Sequence, residues 1–246
     1  MSTEDRVLVD IAVRATPDAV WAALRDPDQI HRWFGWDDDG LAAEIQQIFV
    51  DEPTEDPAAR TLVWPDGDRI ALEPISELST RLVISRKDGT TDGDMVGAYD
   101  AVDEGWITFA HQLQFALERH PGAERRTVSA LGVDLGSEDH ALLKDLGLRP
   151  LGDAPVGSAY AVERADGSRF TGEIAFQTDL QIGLTVAEEE HALLVVARTP
   201  PSAAPPHGVA MFVLNTYGLD DARIAQVEQR WTAWWAPTTV EDDLTP

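Results

Sequence analysis

Apolar and polar positions alternate from the start of the chain: Val7, Val9, Ile11 and Val13 against Leu8, Asp10, Ala12 and Arg14. That period of two predicts a half-buried strand. Thr16-Pro17-Asp18 follows, an N-cap oxygen with proline at the first helical position, and Val20, Trp21 and Leu24 give that helix its stripe. Asp26-Pro27 starts a second short helix on which Ile30, Trp33 and Phe34 share a face, with Gly35 closing it. Residues 43–50 read as a strand, 51–59 as an acidic loop broken by proline, and 61–64 and 69–73 as a hairpin around Pro65-Asp66-Gly67. A further strand covers 81–86, and 87–97 reads as a mobile loop rich in Gly, Asp and Thr. Trp106, Phe109, Ala110, Leu113 and Leu117 then recur in steps of three and four, predicting a long amphipathic helix over 103–120. Asp103 and Glu104 suit its N-terminus, and Arg119, His120 and Pro121-Gly122 its end.

The pattern then begins again, more faintly. Residues 127–133 read as a strand, Ser137 as the cap of a helix ending at Gly147, and 170–177, 180–186 and 193–198 as strands. Residues 209–214 fit either a buried strand or the run-in to a helix. The last helix, over 220–235, carries Ile224, Val227, Trp231, Trp234 and Trp235 at a constant offset from Trp106, Phe109, Leu113, Ala116 and Leu117. Self-similarity over half the chain predicts a duplicated unit, with domains at 1–124 and 125–246.

Composition narrows the function classes. The 246 residues are 43% hydrophobic, so a sizeable core is expected, and the formal net charge is -25. Such a surface repels phosphate backbones and anionic headgroups, which sets nucleic-acid and membrane binding aside. There is no cysteine, so disulfides and thiolate sites are excluded. The acidic start lacks a signal-type apolar core, and no apolar run approaches a membrane span of about 18 residues. A soluble, cytoplasmic protein is expected.

The aromatic set Trp21, Trp33, Phe34, Trp64, Trp106 and Phe109 is the leading pocket candidate, since ligand pockets are mostly apolar with a few polar fixtures. Core filling is the competing account, and for Trp21 the better one. His111 and Gln112 sit beside the long-helix stripe, where one of them would bring a polar or titratable group to a cavity. His31 and Arg32 are candidates to gate a cavity mouth. Gln177, Gln181 and Thr185 read as solvated strand positions. Asp37-Asp38-Asp39-Gly40 with Glu44 lacks calcium-loop spacing and reads as an acidic loop, and Glu188-Glu189-Glu190-His191 as a turn between strands. No H-E-x-x-H, G-x-S-x-G, phosphate loop or G-x-G-x-x-G occurs, so no metal and no cofactor is expected.

Residues 7–35 (VLVDIAVRATPDAVWAALRDPDQIHRWFG), 77–85 (ELSTRLVIS) and Glu104-Gly105-Trp106 resemble the START-type, birch-pollen-allergen-like (SRPBCC) superfamily. Within it, the resemblance is nearest to the branch named after the activator of the heat-shock ATPase. It covers the first half of the chain, and in the second half only the strand run and the last helix. The resemblance implies an α+β helix-grip fold, an antiparallel sheet wrapped around a long C-terminal helix, here in two copies. It also implies a cavity between sheet and helix. The expected function is non-catalytic binding of a small hydrophobic or aromatic molecule by Trp33, Phe34, Trp64, Trp106, Phe109, His111 and Leu113 in a monomer with an internal pseudo-dimer. The alternatives are a cyclase- or hydrolase-type enzyme in the same cavity and a co-chaperone-like interaction module.

Overall fold

The structure, a computed structural model, describes residues 5–87, 99–137, 141–148, 151, 153–163 and 167–235. The chain divides into two compact units, Met1–Arg126 and Thr127–Pro246. The loop expected over 87–97 lies, apart from Lys87, outside the described residues.

In the first unit, β1 (Asp5–Val13) leads into α1 (Pro17–Arg25) and α2 (Pro27–Ile30). The caps are those expected: Thr16 Oγ1 accepts from Ala19 N at 3.1 Å and an Asp26 oxygen from Asp28 N at 3.1 Å. The stretch 43–50 is not a strand. It is α3 (Leu41–Ile45) continued by a π-helical turn, Gln46–Asp51. Leu41, Ile45 and Phe49 are all buried and lie four residues apart, so the apolar stripe is helical, and the β-prone letters between them face outward or only half inward. The acidic loop that follows contains a short strand, β2 (Thr54–Asp56). Then come β3 (Thr61–Val63), β4 (Arg69–Ser76), β5 (Ser79–Lys87) and the long helix α4 (Ala101–Arg119).

The sheet order is β1-β5-β4-β3-β2. β1 is therefore an edge strand, and α4 covers that edge. Gln114 Nε2 donates to Ala12 O at 2.9 Å, and Glu118 accepts from Arg14 N at 2.9 Å, which answers strand groups no neighbouring strand reaches. On the helix, Trp106, Ala110, Leu113 and Ala116 are buried, while Phe109 and Leu117 are half-buried.

The second unit contains β6 (Arg125–Asp134), whose first two residues belong to the first unit, then α5 (Ala141–Asp145), β7 (Ala159–Glu163), β8 (Arg169–Gln177), β9 (Gln181–Val186), β10 (Ala192–Thr199), β11 (Val209–Tyr217) and α6 (Asp221–Trp235). Residues 209–214 are thus strand, and β7 is an element the periodicity did not reveal. The order β6-β11-β10-β9-β8-β7 repeats that of the first unit with one strand added at the far edge. In both units the first strand pairs with the last, the strands after the first each pair with the next in sequence, and a helix follows. This is an α+β fold in two copies.

The second core is closed by aromatics. Trp231, Phe170 and Phe212 are fully buried, Trp231 lies 5.2 Å from Phe170, and Trp235 stacks on Phe212 at 5.7 Å. Gln181 and Thr185 are buried here, not solvated. Thr185 accepts at its carbonyl from Tyr160 Oη at 2.6 Å, across Gly172, which stands opposite Tyr160 in the ladder. A Cβ on Gly172 would lie 1.8 Å from that same carbonyl oxygen, so only glycine fits there.

Candidate functional site

In the first unit an open cavity of about 300 Å³ lies between the π-helical turn, the β3–β4 turn and the N-terminal half of α4. Its apolar wall is Phe34, Ile48, Trp64, Trp106 and Phe109. Phe34 and Phe109 meet at 4.5 Å, and Trp64 and Trp106 meet edge to face at 5.2 Å. The ring positions are fixed from behind. Trp64 Nε1 donates to Ile48 O at 2.7 Å, tying the hairpin to the π-helical turn. Phe49 is fully buried and packs at right angles to both Trp64 and Trp106. The guanidinium of Arg125 donates to the carbonyls of Phe34 and Gly35, holding the end of the second short helix.

The remaining wall is acidic, with Glu44, Glu52, Asp66 and Asp68. Asp68 is buried at its floor, where it accepts from Trp106 Nε1 at 3.1 Å and from Arg86 Nε at 2.9 Å. Arg86 also donates to Asp103 at 2.6 Å and Asp100 at 3.0 Å, and Asp100 in turn caps α4 by accepting from Val102 N at 2.9 Å. Burial works against the Arg86 charge, but the bonds to Asp103 and Asp68 outweigh it and raise its hold on the proton. Asp68 is therefore a structural carboxylate that sets the Trp106 ring.

Glu44 is different. It stands exposed on the rim and makes no ion pair among the described residues. Partial desolvation, and after it the nearby charge of Asp38, push its carboxyl above the usual carboxylate range. A carboxyl that holds its proton more tightly than usual, beside an apolar cavity, has the makings of a general acid or base.

Of the residues singled out from sequence, the cavity brings together Phe34, Trp64, Trp106 and Phe109. Trp33, His111 and Leu113 do not line it. Trp33 is buried behind the wall, donating from Nε1 to Ala23 O at 2.8 Å and lying edge-on to Phe34 and Phe49. Leu113 is buried in the core further along α4. His111 lies on the helix side that meets β1, near Gln114, where burial lowers its pKa to about 4. His31 and Arg32 line a separate hollow of about 360 Å³ beside α2 and α3, where Arg32 reaches Glu124 at 3.6 Å, so neither gates the aromatic cavity. The carboxylates were missed. From the sequence, Asp38 and Glu44 read as parts of an acidic loop without calcium-loop spacing and Asp66 as a turn residue, and Asp68 is not singled out. The nearest signal was Pro65-Asp66-Gly67-Asp68 itself, a turn with more acid than its geometry needs.

The second unit repeats one part of this arrangement. The 3₁₀ turn Ala187–Glu189 joins β9 to β10, the hairpin that corresponds by strand order to β3–β4. There the Glu189 side chain is 0% exposed and accepts from Trp231 Nε1 at 3.1 Å, Arg223 at 2.8 Å and Arg230 at 2.7 Å. Each unit thus ties the indole of its last helix to a buried carboxylate on the same hairpin.

Scanned against family models and curated proteins, the chain matches none. Among solved structures it is similar to the di-domain ARO/CYC BexL of the BE-7585A biosynthetic pathway, at 15% identity over 94% of this chain and 92% of that one, with a TM-score of 0.36. It is similar to the di-domain ARO/CYC StfQ of the steffimycin pathway, at 12% identity over 92% and 93%, with a TM-score of 0.34. A third is DynU16 of the dynemicin biosynthetic locus, at 19% identity over 92% and 93%, with a TM-score of 0.31. The strand order of each unit, with a long helix after its last strand, is that of a helix-grip fold. The expectation of non-catalytic binding in a largely apolar, closed pocket is corrected: the cavity is open, and its wall is acidic along one side, with Glu44, Glu52, Asp66 and Asp68 on it.

Proposed function

We propose that the first-unit cavity is the reaction site of a cyclase-type enzyme, in which a small unsaturated substrate folds against the aromatic rings and Glu44 moves a proton. The observation that carries this reading is Glu44 itself, a carboxyl with raised proton affinity on the lining of a cavity otherwise walled by rings. Ring closure within one molecule needs a folded substrate and a proton acceptor that can return what it takes. Holding the two ends of the substrate together removes most of the entropic barrier. It does not need the strained nucleophile or positioned water that hydrolysis demands, and the wall offers neither a serine nor a cysteine. At about 300 Å³ the cavity is at the small end for ligand sites, roughly 300–1,000 Å³, which favours a substrate of one or two fused rings. The lining lies within residues 34–109, all in the first unit.

Ionised Glu44 takes a proton from the carbon beside a carbonyl. The resulting enolate carbon attacks a second carbonyl in the same molecule, and the protonated carboxyl returns the proton to the new oxygen. Glu44 then takes a second proton from the same carbon and passes it to the hydroxyl, which leaves as water as the carbon–carbon double bond forms. General acid–base assistance of this kind is worth about 10²–10⁴ in rate. The test is to incubate the full-length protein with short aryl-substituted diketones and follow loss of water by mass spectrometry. Turnover should fall about 100-fold or more in Glu44→Gln, and also in Trp106→Ala, which removes part of the wall. Equal turnover in wild type and Glu44→Gln would remove Glu44 from the mechanism, and no turnover of any such substrate would remove the reading.

A further inference from the structure

Resting on the reading of this cavity as the reaction site, we infer that its substrate carries a positive charge: a protonated amine attached to the planar, ring-forming part. The lining carries four carboxylates and no lysine, arginine or histidine. One of the four, Asp68, is answered by Arg86, which leaves Glu44, Glu52 and Asp66 around the mouth. Glu52 accepts from Gln47 Nε2 at 2.7 Å and Asp66 from Asp68 N at 3.1 Å, both neutral donors that leave the negative charge in place. The rings next to them present negative faces, so walls and rim favour the same sign.

Three features pull the other way, and each is already answered. The N-terminus of α4, whose Ala101 and Val102 line the cavity, has a positive end, but Asp100 caps it and Asp103 and Glu104 occupy its first turn. Arg86 faces three carboxylates of its own. The stem of Lys87 lies against Gly67 on the β3–β4 turn, outside the lining. Across the whole chain the net charge of -25 adds a field that draws cations in.

The experiment uses three isosteres on a naphthalene ring, an ethylamine, an ethanol and an acetate, titrated calorimetrically into the full-length protein at neutral pH. The amine should bind about tenfold more tightly than the alcohol at low salt, the acid more weakly still, and the gap should narrow at high salt. In the double variant Glu52→Gln/Asp66→Asn the alcohol should bind as before, which certifies the fold, while the preference for the amine shrinks to about twofold. An acid or alcohol that binds as well as the amine overturns this inference and leaves the cavity reading intact. So does an amine preference that survives the double variant, because it would then come from the general field. If none of the three binds, the cavity reading fails along with it.

Discussion

The indole N–H of Trp231 donates to the carboxylate of Glu189 across 3.1 Å, and no part of that carboxylate reaches solvent. Two arginines, Arg223 and Arg230, share the same acceptor. A carboxylate so placed fixes where α6 sits on its sheet, and removing its charge leaves two cations facing a neutral amide. Glu189→Gln should cost about 2–4 kcal/mol in urea denaturation, the arginines' partial exposure softening the loss. Trp231→Phe, which keeps the charge cluster and loses one donor and some volume, should cost about 1–2 kcal/mol.

Asp68 gives the contrast. Its arginine keeps Asp100 and Asp103 when Asp68 is neutralised, so Asp68→Asn should cost about 1 kcal/mol, clearly less than Glu189→Gln. Because Asp68 also fixes Trp106, the tryptophan emission spectrum should shift in this variant. An equal cost at both positions would show that arginine redundancy is not what separates them.

His111 predicts an acid sensitivity. Burial lowers its pKa from 6.5 to about 4, with a hydrogen bond to Gln114 pulling weakly the other way. A depressed folded-state pKa contributes stability that is complete above pH 6.5 and is lost as the pH falls toward 4. The full shift corresponds to roughly 3 kcal/mol. His111→Gln should therefore lose less stability than wild type between pH 7 and pH 4.5, by about 2 kcal/mol, in paired urea titrations.

Glu44 predicts the opposite sign. Its folded-state pKa is raised, so its contribution is complete in acid and lost as the pH rises through that pKa. At neutral pH the ionised side chain is slightly worse off folded than unfolded. Glu44→Gln should gain a few tenths of a kcal/mol at pH 7, solvent screening keeping the figure small, and nothing near pH 4. A thermal melt of both proteins at the two pH values checks it, and a gain in stability beside lost turnover would mark a residue kept for chemistry.

Gly172→Ala sets a Cβ 1.8 Å from the Thr185 carbonyl oxygen, which also receives Tyr160 Oη. The ladder must open or the tyrosine bond must break, at a cost of about 3 kcal/mol. Hydrogen exchange should rise first in β7 and β8.

Much of the fold could be read from local chemistry. Thr16-Pro17 and Asp26-Pro27 announced their helices, Pro65-Asp66-Gly67 its hairpin, and Trp106 to Leu117 the long helix, because each signal is complete within a few residues. At 43–50 the β-branched letters taken singly favour a strand, but Leu41, Ile45 and Phe49 share a helical face. The aromatic half of the cavity was legible for the same reason, since large rings declare themselves. Its acidic half was not. Glu44, Asp66 and Asp68 resemble any other acids in an acidic chain until the π-helical turn and the hairpin converge, and Glu189 reads as one more turn residue until α6 brings two arginines and an indole over it.

Arg125, the first residue of β6, donates to Phe34 and Gly35, which belong to the opening helices of the chain. Anyone expressing the halves separately must let the earlier piece run past this arginine. A fragment stopped one residue short would lose the pin that holds a wall of its own cavity, and would report an empty assay for a reason unrelated to its chemistry.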